Sequence, residues 1–373
     1  MPPVQIAGMD VWTGFGNYRG KEGRWRRMEQ KKMKMKEMLI GLCMVAVLAL
    51  VTFHVLFQNH SMETMGETFQ RAELRFVLPA FFCMFVFINC EAANIRLLMR
   101  TFHKKIPYRR SLSYSFAGFY FSAITPSATG GQPMQLFYMT RDGFGFAHSS
   151  FTLLAVAAVY QMTVLVYGSV MVLLNLSFVM SQGRLIQWLL VFGILVNGIC
   201  SGLILLIILN SLLAERVVLW AIRILTRVKL IRNRKKAQRK MEGLINEYSR
   251  GGAYLRQYPL VVVRMFLRAL IQLTALFLVP YFACLALGIE AEPGRFLAMQ
   301  AILSLAVTAV PLPGSVGASE GSFISLYRPI LGGGQVFPVM MLSRGISFYA
   351  LLAVSGAVTA VLQMNRKKGK ISV

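Results

Sequence analysis

Glu320 is the side chain from which a chemistry can be argued most directly. It stands in the stretch Pro311-Leu312-Pro313-Gly314-Ser315-Val316-Gly317-Ala318-Ser319-Glu320-Gly321, immediately after the apolar run Phe296 to Val310. A carboxylate at the bilayer centre costs about 2.5–3.5 kcal/mol on insertion scales, so it calls for a cationic partner or a wet pocket. Arg344, in the next apolar segment, is a candidate partner for Glu320 or for a phosphate. Glu320 itself suits a cationic headgroup, a coupling proton, or the positive end of a helix. A related stretch lies upstream, Thr125-Pro126-Ser127-Ala128-Thr129-Gly130-Gly131-Gln132-Pro133, after the short apolar run Leu112 to Ile124. Laid over each other, Pro126 meets Pro313 and Gly130 meets Gly317.

Both stretches remove backbone donors at proline and open the backbone at glycine. Neither preceding run reaches the roughly 20 residues that a helix needs to cross the hydrocarbon core. Unwound backbone at that depth persists only where protein or water covers it. Each break can therefore start a half-helix whose free N–H groups and dipole attract an anion. Thr129 is the expected N-cap of the first, with Pro133 in its first turn; Ser319 is the expected N-cap of the second, Glu320 to Ile330. The candidate lipid-phosphate site comprises Thr125, Pro126, Thr129, Gly130, Gly131 and Gln132 from one break. The other contributes Pro313, Gly314, Gly317, Ser319 and Glu320, with Arg344 behind it. The competing reading is of two surface loops whose caps merely close ordinary helix ends.

The elements that would position these residues follow from hydropathy and charge. The 373 residues are 56% hydrophobic with mean hydropathy +0.56, against about 45–50% apolar in soluble domains, so the fold class is an all-α polytopic membrane protein. Net charge is +25. The basic residues sit between apolar segments, which points to the anionic inner leaflet as a partner and not to nucleic acid. The five cysteines all fall in apolar segments without metal spacing, and the four histidines are scattered, so no metal or other cofactor is expected. Among known catalytic signatures there is no Ser-His-Asp set, Cys-His pair or P-loop in a credible context, which argues against an ATP-driven pump.

Residues 1–37 form a basic cytoplasmic tail ahead of an integral domain at 38–365, and 366–373 form a second cytoplasmic tail. Full spans are expected at 38–57, 76–99, 150–176, 185–209, 259–288 and 336–363. The insert 210–257 is basic, and its part from Leu212 to Ile231 reads as an amphipathic helix on the inner leaflet. Broken segments at about 112–140 and 296–333 then enter from opposite faces by the positive-inside rule. About six full spans plus two re-entrant hairpins in an inverted repeat satisfy the charge pattern. If each hairpin crosses twice, about ten crossings also leave both termini inside.

At these two breaks the chain resembles the transmembrane region of the lysylphosphatidylglycerol synthase/flippase family. The residues that carry the resemblance are Thr125-Pro126, Gly130-Gly131-Gln132-Pro133, Pro311-Leu312-Pro313-Gly314, Gly317 and Glu320-Gly321, and the likeness extends over roughly residues 38–365. A basic end to the preceding helix, here Arg96, also fits and joins the candidate substrate-binding set. Gln132 stands where many relatives carry Glu. The two-part members place a soluble aminoacyl-tRNA:lipid transferase domain after the membrane part, and this sequence ends at Val373. The resemblance thus implies lipid handling or translocation, and lysyl transfer by this polypeptide alone is not expected. Two alternatives stay open: a membrane-embedded enzyme that modifies a lipid headgroup with Glu320 as general base, and a non-catalytic membrane partner of a separate lipid synthase. The partners implied are a membrane phospholipid, such a synthase and a second copy of the chain, in a bacterial cell membrane.

Overall fold

Two helices of equal length set the frame. In the computed structural model, which describes residues 70, 72–125, 128–181, 183–209, 248, 250–307 and 317–367, α1 (Leu74–Thr101) and α7 (Pro259–Ala286) each run 28 residues. That is about 42 Å at 1.5 Å per residue. They pack antiparallel, with the Glu73 N–H on the Ala286 carbonyl (2.8 Å), Asn94 Nδ2 on the Met265 carbonyl (3.3 Å) and Arg268 Nη1 on the Ala93 carbonyl (3.2 Å). This register places Pro79 opposite Pro280, so the two helix-interior prolines share one level.

Each of these helices leads into a short pair. After α1 come α2 (Tyr108–Ala123) and α3 (Gly131–Arg141); after α7 come α8 (Pro293–Val307) and the start of α9 (Ala318–Arg344). At 16, 11 and 15 residues, α2, α3 and α8 are about 24, 17 and 23 Å long, short of a 30 Å hydrocarbon core. Pro107, with its fixed φ, starts α2 at Tyr108, earlier than the apolar run beginning at Leu112 suggests. Within α9, Gly332 adopts φ 75° and ψ 165°, a conformation open essentially to glycine alone, and divides a first part ending at Leu331 from a second part ending at Arg344. That second part continues through the π-helical segment Gly345–Ala350 into α10 (Leu351–Lys367).

The remaining long helices are α4 (Phe146–Leu174) and α6 (Arg184–Leu209), with the short α5 (Leu176–Ser181) between them. Five stretches are long and apolar enough to cross a membrane: α1, α4, Ile186–Leu206, α7 and Ser319–Met364. The first four match expected spans to within a few residues, while Ser319–Met364 contains the expected span 336–363 but begins inside the broken segment expected at 296–333. The expected span at 38–57 and the basic helix expected at Leu212 to Ile231 lie outside the described residues. Every described helix contributes to an all-α membrane fold, and no strand occurs among the described residues. Large apolar side chains line the outer faces at helical spacing, as Leu260, Val263, Leu267 and Ile271 do on α7, which suits lipid contact.

The packing is reciprocal. α4, which follows the first short pair, packs on α8 of the second, while α10, which follows the second, packs on α2 of the first. Glycine permits the closest approaches. A Cβ at Gly193 on α6 would fall on the Leu305 main chain of α8, and one at Gly168 on α4 would fall on the Leu305 side chain. The core divides accordingly. Tyr114, Phe121, Tyr138, Phe348 and Leu352 enclose the first short pair, and Phe277, Phe296, Leu305, Phe323 and Tyr327 the second.

Candidate functional site

The Thr125 hydroxyl ties the two sides of the first break together. Thr125 Oγ1 donates to the Phe121 carbonyl at the end of α2 (2.6 Å) and accepts the Gly130 N–H at the start of α3 (2.8 Å). Ala128 between them lies in the left-handed region at φ 54°. Helix α3 begins at Gly131 with Gly130 as its N-cap, not Thr129. The reason is visible in the geometry: the Thr125 hydroxyl already takes the Gly130 N–H, and the chain has turned helical before Thr129 can serve the next turn. Gln132 is exposed, and Pro126 lies outside the described residues.

The two short helices then run back along each other. Tyr114 Oη donates to Asp142 Oδ2 (2.6 Å) at the open end. Toward the break, a Cβ on Gly131 would stand 2.7 Å from the Gly118 carbonyl oxygen. Only glycine at Gly131 allows this approach, because the obstacle is backbone and cannot rotate away. Gly118 in turn leaves the space through which the Gln135 side chain crosses to α1. There Gln135 Nε2 donates to Glu91 Oε1 at 2.6 Å.

In the second half, Gly317 is the N-cap, at φ 86°, and α9 starts at Ala318. Ser319, the expected cap, is therefore already inside the helix. Glu320, at N3, turns back to accept the Gly317 N–H at Oε2 (2.7 Å), the reciprocal half of a capping box. Its other oxygen accepts from Arg344 Nε at 2.8 Å. Glu320 is 3% exposed, and the Arg344 guanidinium also lies 4.6 Å from the Phe348 ring centroid. The carboxylate thus holds the positive end of α9 and a cation from its far end at once. Pro313 and Gly314 lie outside the described residues.

Gly130 and Gly317, the residues that overlay in the sequence, occupy the same place at the head of a half-helix. A family profile described as lysylphosphatidylglycerol synthase TM region matches residues 38–355, which takes in both breaks and both long antiparallel helices. The chain belongs to this family. Comparison with individual curated proteins yields no match.

As a lysylphosphatidylglycerol synthase transmembrane-region protein, the chain is a multi-pass membrane protein of a family concerned with lipid modification or translocation. Of the candidate residues, the structure joins Thr125 to Gly130 and Glu320 to Gly317 and Arg344. It sets Arg96 apart: its guanidinium lies over the Tyr108 ring at the start of α2, and the 16 residues of α2 carry the break about 24 Å away. The Glu91–Gln135 pair was not legible from sequence, since its members lie on different elements and meet only because residue 118 has no side chain. Gln161 and Asn197 hydrogen-bond between α4 and α6, in keeping with a helix-joining role for Gln161.

Proposed function

We infer that this protein is a lipid translocase, moving a phospholipid or an aminoacylated or polyprenyl-linked lipid between leaflets. The observation that carries this reading is the reciprocal packing of two matching halves. Each half is a long helix, a short pair broken at glycine, and a long helix lodged against the other half's short pair. An inverted-topology repeat has this arrangement, with broken helices meeting a substrate near the bilayer midplane. On this reading the two short pairs are re-entrant hairpins that enter from opposite faces of a bacterial cell membrane, with both termini cytoplasmic. The N-terminal ends of α3 and α9 offer N–H groups to a lipid phosphate. The Glu320–Arg344 pair supports the same reading, because a buried charge pair that exchanges partners can answer to a headgroup carrying both signs. With Glu320 bound to Arg344, the anion-attracting end of α9 is shielded; a phosphate that takes Arg344 releases the carboxylate for a cationic group.

The test is reconstitution of the purified protein in liposomes containing a labelled phospholipid, reading leaflet accessibility and lipid mass together, with and without aminoacyl-tRNA. The expected result is redistribution between leaflets with unchanged lipid mass. A new aminoacylated lipid made by this chain alone would replace the translocase with the headgroup-modifying enzyme. Activity only after co-purification with a synthase would favour the non-catalytic partner.

A further inference from the structure

A separate feature lies at the opposite end of α2 from its break. Helix α1 closes with the Lys104 N–H on the Met99 carbonyl (3.1 Å) and the His103 N–H on the Arg100 carbonyl (3.0 Å), the paired bonds of a Schellman turn. That turn holds His103 at φ 54°, a left-handed conformation that glycine ordinarily supplies, so the side chain is retained at a backbone cost. Pro107 then starts α2, whose first turn carries no acidic residue and whose first N–H groups have no intrahelical acceptor. Between the two helix ends lies a cavity of about 570 Å³ lined by Arg96, Arg100, His103, Lys105, Ile106 and Pro107.

The charge in this cavity is one-sided. Arg96 Nε is buried without a hydrogen-bond partner, although its guanidinium is held 5.6 Å from the Tyr108 ring centroid. Arg96, Arg100 and Lys105 have no ion-pair partner among the described residues. Arg96 is half-buried while Arg100 and Lys105 are exposed at the rim, so three cations border one space with an unsatisfied buried N–H among them, and an entering anion relieves both the repulsion and the missing hydrogen bond. Guanidinium groups take phosphate oxygens in pairs, and an aromatic face keeps one such group aimed. Ile106, 2% exposed, gives the cavity an apolar wall.

We propose that this cavity binds a phosphate-bearing anion, either the headgroup of an anionic phospholipid or free phosphate, through Arg96, Arg100 and Lys105. As a lipid site it deepens the translocase reading and rests on that reading for its role, a place where the headgroup is held before it reaches the breaks. Binding itself is measured apart from transport.

The full chain in neutral detergent is followed by thermal denaturation while micelles of phosphatidylglycerol, micelles of phosphatidylcholine, or inorganic phosphate are added. Phosphatidylglycerol stabilises the wild type and phosphatidylcholine does not. Arg96→Gln and Arg100→Gln each raise the half-saturating phosphatidylglycerol concentration about tenfold or more, whereas Arg295→Gln, at an exposed basic residue at the start of α8, beyond the far end of α7, leaves it unchanged. Should Arg96→Gln fail to fold, Arg100→Gln and Lys105→Gln carry the same comparison. Stabilisation by inorganic phosphate that is lost in the same variants, and that competes with phosphatidylglycerol, assigns the site to free phosphate; a lipid response indifferent to excess phosphate assigns it to the headgroup. Equal response to both lipids, or unchanged half-saturation in every cavity variant, overturns the proposal. Phosphatidylglycerol binding through Arg96 in a protein that redistributes no lipid would refute the translocase reading and leave the site standing.

Discussion

Removing the guanidinium of Arg344 should cost more than removing the charge of Glu320. The Glu320 side chain is 4% exposed and that of Arg344 16%, so the carboxylate bears the greater desolvation. In Arg344→Gln the carboxylate keeps only the Gly317 N–H, and a buried charge stripped of its partner costs about 3–5 kcal/mol. In Glu320→Gln an amide oxygen can still accept the Gly317 N–H, and Arg344 still lies against Phe348. The loss then approaches that of a charge-assisted hydrogen bond, about 1.5–3 kcal/mol. The double variant Glu320→Gln/Arg344→Gln leaves no orphaned charge, so it should be more stable than Arg344→Gln alone, which requires a coupling larger than the Glu320→Gln loss, about 3 kcal/mol. Reversible unfolding in mixed detergent micelles, followed by circular dichroism, measures all four corners of the cycle. Additive losses, with a coupling below about 0.5 kcal/mol, would refute the pairing as the reason for the buried carboxylate. If the double variant regains stability but redistributes no lipid in liposomes, the pair serves transport as well as folding.

Gly193→Ala should destabilise by about 1–3 kcal/mol, because its Cβ meets the Leu305 main chain. Gly198→Ala on the same helix, with Leu165 Cδ2 3.9 Å away, should be neutral or stabilising; equal losses in the same micelle unfolding assay would remove the packing argument. Gly332→Ala should cost about 1–3 kcal/mol for its backbone conformation, while Gly334→Ala, with open space around it, should not, as thermal denaturation would read. Gly118→Ala should displace Gln135 from Glu91 and lose about 1–3 kcal/mol; Gln135→Ala in the same background should then add little. Single cysteines at Ser127 and Ser315, in a background with the native cysteines replaced, should react with aqueous thiol reagents from opposite faces of oriented vesicles. Labelling from one face would refute the inverted entry of the hairpins.

Much of this architecture could be read from the chain because hydrophobic length and basic clusters speak directly to helix count. The spans around α1, α4, α6 and α7 end within a few residues of the charges that bound them. Gly130 and Gly317 announced their role by overlaying, and Arg344 stood too deep in an apolar segment to lack a partner such as Glu320. The caps were misplaced by one residue at the first break and two at the second. The sequence points to a side-chain oxygen at Thr129 and Ser319, whereas the bonds are made by Thr125, ahead of α3, and by Glu320 turning back from the first turn of α9. What stayed hidden depended on absent atoms. The reach of Gln135 past Gly118 and the seating of Leu305 between Gly168 and Gly193 are relations between distant segments, and a glycine in a sequence does not say which neighbour needs its space.

The reciprocal lodging of α10 on α2 has a consequence for how the chain is made. Helix α2 carries Ser111, Ser113, Ser115 and Ser122, and with α3 it is too short to partition into lipid as an ordinary span. Its housing is α1, already synthesised, and α10, which is made long after it. While the residues between α3 and α10 are being made, the first short pair therefore lacks one wall of its housing. On the proposed re-entrant reading α10 acts as a latch, and its seating on α2 completes the housing of the first short pair. Loss of α10 would accordingly be felt first at the opposite end of the sequence, in the hairpin it completes.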